Sequence, residues 1–85
     1  MTVVTLASQL DMNAATPLAK ELTALRGQAV SLNGSQVERL GSLCLQVLLS
    51  ARETWREDSQ AFEIRDPSPA LQDAAALMGA DLFAS

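Results

Sequence analysis

Apolar positions along this chain follow two spacings, and the spacing changes several times between the ends. Val3-Val4-Thr5-Leu6, Ala29 to Asn33 and Ala61-Phe62-Glu63-Ile64-Arg65 are short runs rich in β-branched or aromatic residues, with the alternation of strands. Between them the period lengthens. Leu18, Leu22 and Leu25 share one helical face while Lys20 and Glu21 point elsewhere, and Cys44, Leu48, Ala51 and Trp55 form a second stripe that should face a sheet. A third stripe, Leu71, Ala74, Ala75 and Met78, supplies the buried face of a helix over Ala70 to Met78.

Local signals place the ends of these elements. Asp11, Asn13 and Thr16-Pro17 provide helix-start chemistry, and Pro17 fits only the first turn of a helix that runs to about Leu25. Arg26-Gly27 gives that helix a cationic end and a glycine stop. Asn33-Gly34 turns the chain, and Ser35-Gln36-Val37-Glu38 has the spacing of a capping box closing a single helical turn. The main helix then begins near Ser42, which reads first as its N-cap, and runs to about Trp55. Asp66-Pro67-Ser68-Pro69 is a turn, Gly79 ends the third helix, and a short last strand over Asp81-Leu82-Phe83 would bury Phe83 at the sheet edge. Strands separated by helices need right-handed crossovers, so the expectation is an α/β fold whose single sheet is backed by helices and leaves its other face partly exposed.

Composition narrows the class. Eighty-five residues make one domain, 1–85, and a chain of that size buries only roughly 60 to 65% of its unfolded surface, which leaves no room for an enclosed substrate pocket. At 48% hydrophobic and 19% charged residues it is too apolar for disorder and too interrupted by polar residues to insert directly in a membrane. A net charge of −4 with scattered basic residues opposes nucleic-acid binding. Ser8, Gln9 and Asp11 come too early for a secretion signal, so the expected location is cytoplasmic. With no histidine and a single cysteine there is no disulfide, no expected metal site or cofactor, and little acid/base machinery, which points away from an enzyme. Cys44, between Leu43 and Leu45, reads as a small core residue. Arg52 to Asp58 reads as a solvated helix end, with Trp55 marking a second binding surface only if its ring is exposed.

Gln9-Leu10-Asp11 before the first helix, Val30-Ser31-Leu32-Asn33, Val37-Glu38-Arg39-Leu40-Gly41-Ser42 leading into the second helix, and Ser68-Pro69-Ala70 before the third follow a recognisable order. Taken together they resemble the STAS domain family over nearly the whole chain. The resemblance implies a small mixed sheet with helices packed mainly on one face, and an activity of binding rather than catalysis. Members that are anti-sigma-factor antagonists carry a phosphorylated serine where Ser42 stands, in a segment reading close to Asp-Ser-Ser-Gly-Leu. This chain instead has Gly41, Leu43 and Cys44 around that position. The run Arg39 to Arg52 is similar, more particularly, to short STAS proteins of chemotaxis signalling clusters.

What the resemblance implies is a signal-transduction module that binds and modulates a kinase with a histidine-kinase-like ATP-binding module, either an anti-sigma kinase or a chemotaxis histidine kinase. Ser42 is the candidate phosphorylation site, and Met12, Gln36, Arg39, Gly41, Ser42, Leu43 and Gln46 are the candidate partner-binding residues. The alternative is a structural role, since STAS subunits also brace ABC-type lipid-transport ATPases.

Overall fold

Five strands and three helices alternate in a computed structural model that describes residues 2–79, so the strand expected around Phe83 lies outside the described residues. In chain order the elements are β1 (Thr2–Thr5), β2 (Gln9–Leu10), α1 (Met12–Ala24), β3 (Val30–Asn33), β4 (Arg39–Leu40), α2 (Ser42–Glu57), β5 (Phe62–Arg65) and α3 (Pro69–Leu77). β1, β3 and β5 form a three-stranded sheet with β3 in the centre, and β2 and β4 form a separate two-stranded ladder. The α/β class is as expected, and every pair of described strands is parallel, where the resemblance implied a mixed sheet. Parallel pairing follows from the connections: each strand of the main sheet is joined to the next through a helix.

Register explains the core. Val4, Leu32 and Ile64 lie side by side across the sheet, as do Thr2, Val30 and Phe62, and these positions share the inner face. Against them pack Leu18 and Leu22 of α1 and Cys44, Leu45, Leu48, Ala51 and Trp55 of α2, all buried. Trp55 fits because its polar edge is satisfied: the indole Nε1–H donates to the Gln28 carbonyl at 2.8 Å, while the ring meets Phe62 at a centroid distance of 5.8 Å. The outer face carries Val3, Glu63 and Arg65 in the open, but the expected alternation fails in the centre, where Ser31 is only 1% exposed. Its register neighbours in the two flanking strands are Val3 and Glu63, and its buried hydroxyl has no hydrogen-bond partner among the described residues.

Several element ends differ from expectation for definable reasons. Helix α1 starts at Met12, capped by Asp11, whose carboxylate accepts from the N–H groups of Asn13 and Ala14 at 3.0 and 3.2 Å. Pro17 therefore sits inside the helix, beyond its first turn. The bond it removes is one to the Asn13 carbonyl, and both residues are exposed, so water can take the donor's place. No helical turn forms over Ser35 to Glu38. The Ser35 N–H is taken by Asn33 Oδ1 at 2.9 Å, and the N–H groups of Glu38 and Arg39 both donate to the Ser8 carbonyl at 2.8 and 3.1 Å, which draws the segment out into β4. Helix α3 begins one residue early, at Pro69, because Ser68 Oγ accepts from the Leu71 N–H at 3.1 Å and proline suits the first helical position. Its buried face is Leu71 and Ala75; Met78, expected there, is the C-cap and 39% exposed.

Gly34 holds the third helix to the sheet. Its N–H donates to the Arg65 carbonyl at 2.9 Å and its carbonyl accepts from Ser68 at 3.0 Å. A Cβ there would stand 2.6 Å from Leu71 Cδ2, so only glycine lets Leu71 seat fully.

Candidate docking rim at the helix starts

Pairing of β2 with β4 sets Gln9 beside Arg39 and Leu10 beside Leu40, with both leucines buried. Each of these short strands runs directly into a helix, so the ladder lines up the starts of α1 and α2. Two further contacts lock them together. Gly41 N–H donates to the Leu10 carbonyl at 2.7 Å, and the Cys44 thiol donates to the Asp11 carbonyl at 3.2 Å. A rim of this kind, beyond the carboxyl ends of parallel strands, is where open α/β sheets present binding surfaces.

The backbone approach at Gly41 is close. A Cβ on that residue would lie 3.3 Å from the Leu10 oxygen, tighter than ordinary contact. A side chain at this position would require the ladder to give by a few tenths of an ångström. Gly41 is also the N-cap of α2, with extended backbone angles of φ −88° and ψ 165° and a carbonyl that accepts from Leu45 at 3.0 Å. This corrects the expectation that Ser42 caps the helix. Ser42 is the first helical residue, exposed, and its hydroxyl has no hydrogen-bond partner among the described residues. The first turn of α2 has no acidic side chain of its own and no side-chain cap, so its first N–H groups and positive helix end face the rim, where the acidic side chain is Asp11 of the neighbouring helix start.

A shallow hollow at this point is lined by Asp11, Met12, Arg39, Gly41, Ser42 and Leu43. Met12 is 73% and Leu43 47% exposed, so two large apolar side chains flank the serine. Arg39 is exposed too and forms no ion pair among the described residues. Five of the candidate residues are thereby brought together. Gln46 lies one turn further on, in an apolar groove between the two helices that Ala15, Ala19, Val47 and Ser50 also line, and Leu43 belongs to both hollows. Gln36 is elsewhere, beside Ser8, Glu38 and Ser68 near the start of α3. Its segment turns away at Asn33.

Sequence reasoning missed Asp11 as part of the rim and missed the groove. The signal for the groove was present: Ala15, Ala19 and Thr23 recur every four residues on α1, a small-residue stripe that leaves a depression against α2. Trp55 is 2% exposed and belongs to the core, so it marks no second surface. Burial raises the Cys44 thiol pKa, and the Asp11 charge adds to the rise, so Cys44 stays protonated and inert at neutral pH.

The family model described as "Mlab, STAS domain" matches residues 1–83. The chain belongs to the STAS domain family. STAS domains are generally non-catalytic modules, and the parallel sheet with three helices is consistent with the family fold. Among curated proteins and solved structures, none matches this STAS domain. No described helix is long and apolar enough to cross a membrane.

Proposed function

We propose that this STAS domain is a docking module that binds and modulates a kinase carrying a histidine-kinase-like ATP-binding module, through the rim at the starts of α1 and α2. The single observation that supports this reading is the exposed, unpartnered Ser42 hydroxyl between Met12 and Leu43, with Arg39 beside it. Apolar side chains standing in water gain most by being covered, and a central apolar patch with a polar edge is the make-up of a protein contact. Within this reading Ser42 is the phosphorylation switch. Phosphate there adds nearly two negative charges at a helix start, which the helix itself tolerates, so the switch works by changing the charge the partner meets.

The test uses wild-type, Ser42→Asp and Leu43→Asp baits in a native lysate, with mass spectrometry of what each retains. Wild type should retain a kinase with that ATP-binding module, and both variants should lose it. Incubation of wild type with the captured kinase and ATP should add one phosphate to the intact mass; no added phosphate would remove the switch. Equal capture by all three baits would remove the rim.

A second reading, a structural subunit bracing an ABC-type lipid-transport ATPase, is favoured by the apolar groove between α1 and α2, which suits lasting assembly better than reversible signalling. Capture of an ABC ATPase instead of a kinase would select it.

A further inference from the structure

Among the described residues the main sheet has two open edges, and they are built differently. β5 carries Glu63 and Arg65, which form an ion pair at 3.3 Å, and Asp66 follows directly. Charges of that kind discourage an edge from pairing with another chain. β1 has no such protection. Thr2-Val3-Val4-Thr5 contains neither charge nor proline, no charged side chain comes before Asp11, and Val3 is 66% exposed.

Main-chain directions along β1 follow from its pairing with β3. Thr2 and Leu6 donate their N–H groups to the carbonyls of Ala29 and Asn33 at 3.0 and 2.9 Å. In a parallel ladder the same parity turns Val4 toward β3 as well, which leaves the N–H and C=O groups of Val3 and Thr5 pointing out of the sheet. Among the described residues nothing receives them.

We propose that this edge pairs with the same edge of a second copy of the chain, antiparallel about a twofold axis. The register is self-complementary. With Val4 on the axis, Val3 of each copy faces Thr5 of the other, and these are the residues whose main-chain groups are free, so each couple exchanges both bonds. Side chains match as well. Val3 and Thr5 meet on the outer face as a β-branched cross-strand pair, while the two Val4 side chains approach on the helix-covered face and extend the core. A shift by one residue sets free groups against groups already bonded to β3, and a shift by two keeps only one of these couples within β1, so the register centred on Val4 makes the most bonds. No charged side chain lies on either strand, so the net charge of −4 acts only at a distance and is screened by salt. Four residues a side make a weak dimer that forms on concentration.

Light scattering on a gel-filtration series of increasing protein concentration tests this, together with amide hydrogen exchange by NMR. Wild type should rise from the 9.0 kDa monomer toward twice that mass, with the Val3 and Thr5 amides exchanging more slowly as concentration increases. Val3→Lys should stay monomeric throughout while keeping its native circular dichroism and Trp55 fluorescence. Thr5→Lys, on the same exposed face, gives the same reading independently. A monomer at every concentration would overturn the proposal, as would a dimer that survives both variants. Protection of Val3 and Thr5 at every dilution would also overturn it, because the edge would then be filled by the chain itself.

Discussion

Ser42 and Ser68 stand one residue apart in helical position, and alanine at each should have very different consequences. Ser68 is a true N-cap: its Oγ accepts from Leu71 N–H at 3.1 Å and donates to the Val37 carbonyl, so Ser68→Ala loses a cap and strips a partner from a half-buried junction. Loss of a serine cap costs about 0.5 to 2 kcal/mol, and the second bond places this site toward the upper end, at about 1 to 2 kcal/mol. For a domain of this size that corresponds to a fall in Tm of about 4 to 16 °C. Ser42, at the first helical position with no bond to lose, should change by less than about 0.5 kcal/mol when replaced by alanine. Ser42→Asp goes further. It puts a carboxylate in a first turn that has none, which stabilises by about 0.3 to 1 kcal/mol at low salt, minus whatever repulsion Asp11 exerts across the rim. Urea unfolding followed by Trp55 fluorescence at low and high salt measures all three variants against wild type. If Ser42→Ala costs as much as Ser68→Ala, the hydroxyl is capping α2 and the assignment of Gly41 as the cap is wrong. If Ser42→Asp unfolds the protein, a phosphate switch at this site would act by disrupting the fold rather than by repelling a partner.

Gly34→Ala should destabilise by about 1 to 3 kcal/mol, because the new methyl collides with the buried Leu71 side chain; unchanged urea midpoints would show that Leu71 can move aside. Leu48→Ala, in the centre of the helix-sheet contact at 0% exposure, should cost about 2 to 5 kcal/mol by the same assay. Cys44 should resist alkylation in the native protein at neutral pH and react fully in denaturant. Its folded pKa lies above the 9.0 of a free thiol, so the unfolded chain releases that proton first, and stability from this group, present below pH 9, should decline as pH rises beyond it. A flat stability profile between pH 8 and 10.5 would contradict the burial of the thiol.

Most of the architecture was legible because each long element buries a stripe. The run Cys44, Leu48, Ala51 and Trp55 sits against the sheet as its spacing requires, and the three strands of the main sheet fall within a residue of their alternating segments. What escaped was decided by contacts distant in sequence. β2 and β4 are two residues each, too short to show any period, and exist because Leu10 and Leu40 are drawn into one core. The cap of α2 moved from Ser42 to Gly41 for the same cause, since Leu10 holds the Gly41 N–H and sets where the helix begins. Gln36 could not be separated from the rim by sequence, because the Asn33 side chain that redirects its segment acts through a single turn. The burial of Ser31 reflects its place in the middle strand, and strand order has no signature in the chain itself.

Arg26 and Asp58 add a last constraint. Their paired contacts at 3.2 Å join the far ends of α1 and α2, while the ladder and the Gly41 bond join the near ends. A helix pair that shares one buried core and is tied at its near ends, with this exposed ion pair adding a little at the far ends, resists splaying and sliding, so an incoming protein meets a template of set width instead of having to shape one. Ordering that would otherwise be charged against association is already complete in the free domain, which favours rapid, fit-dependent recognition.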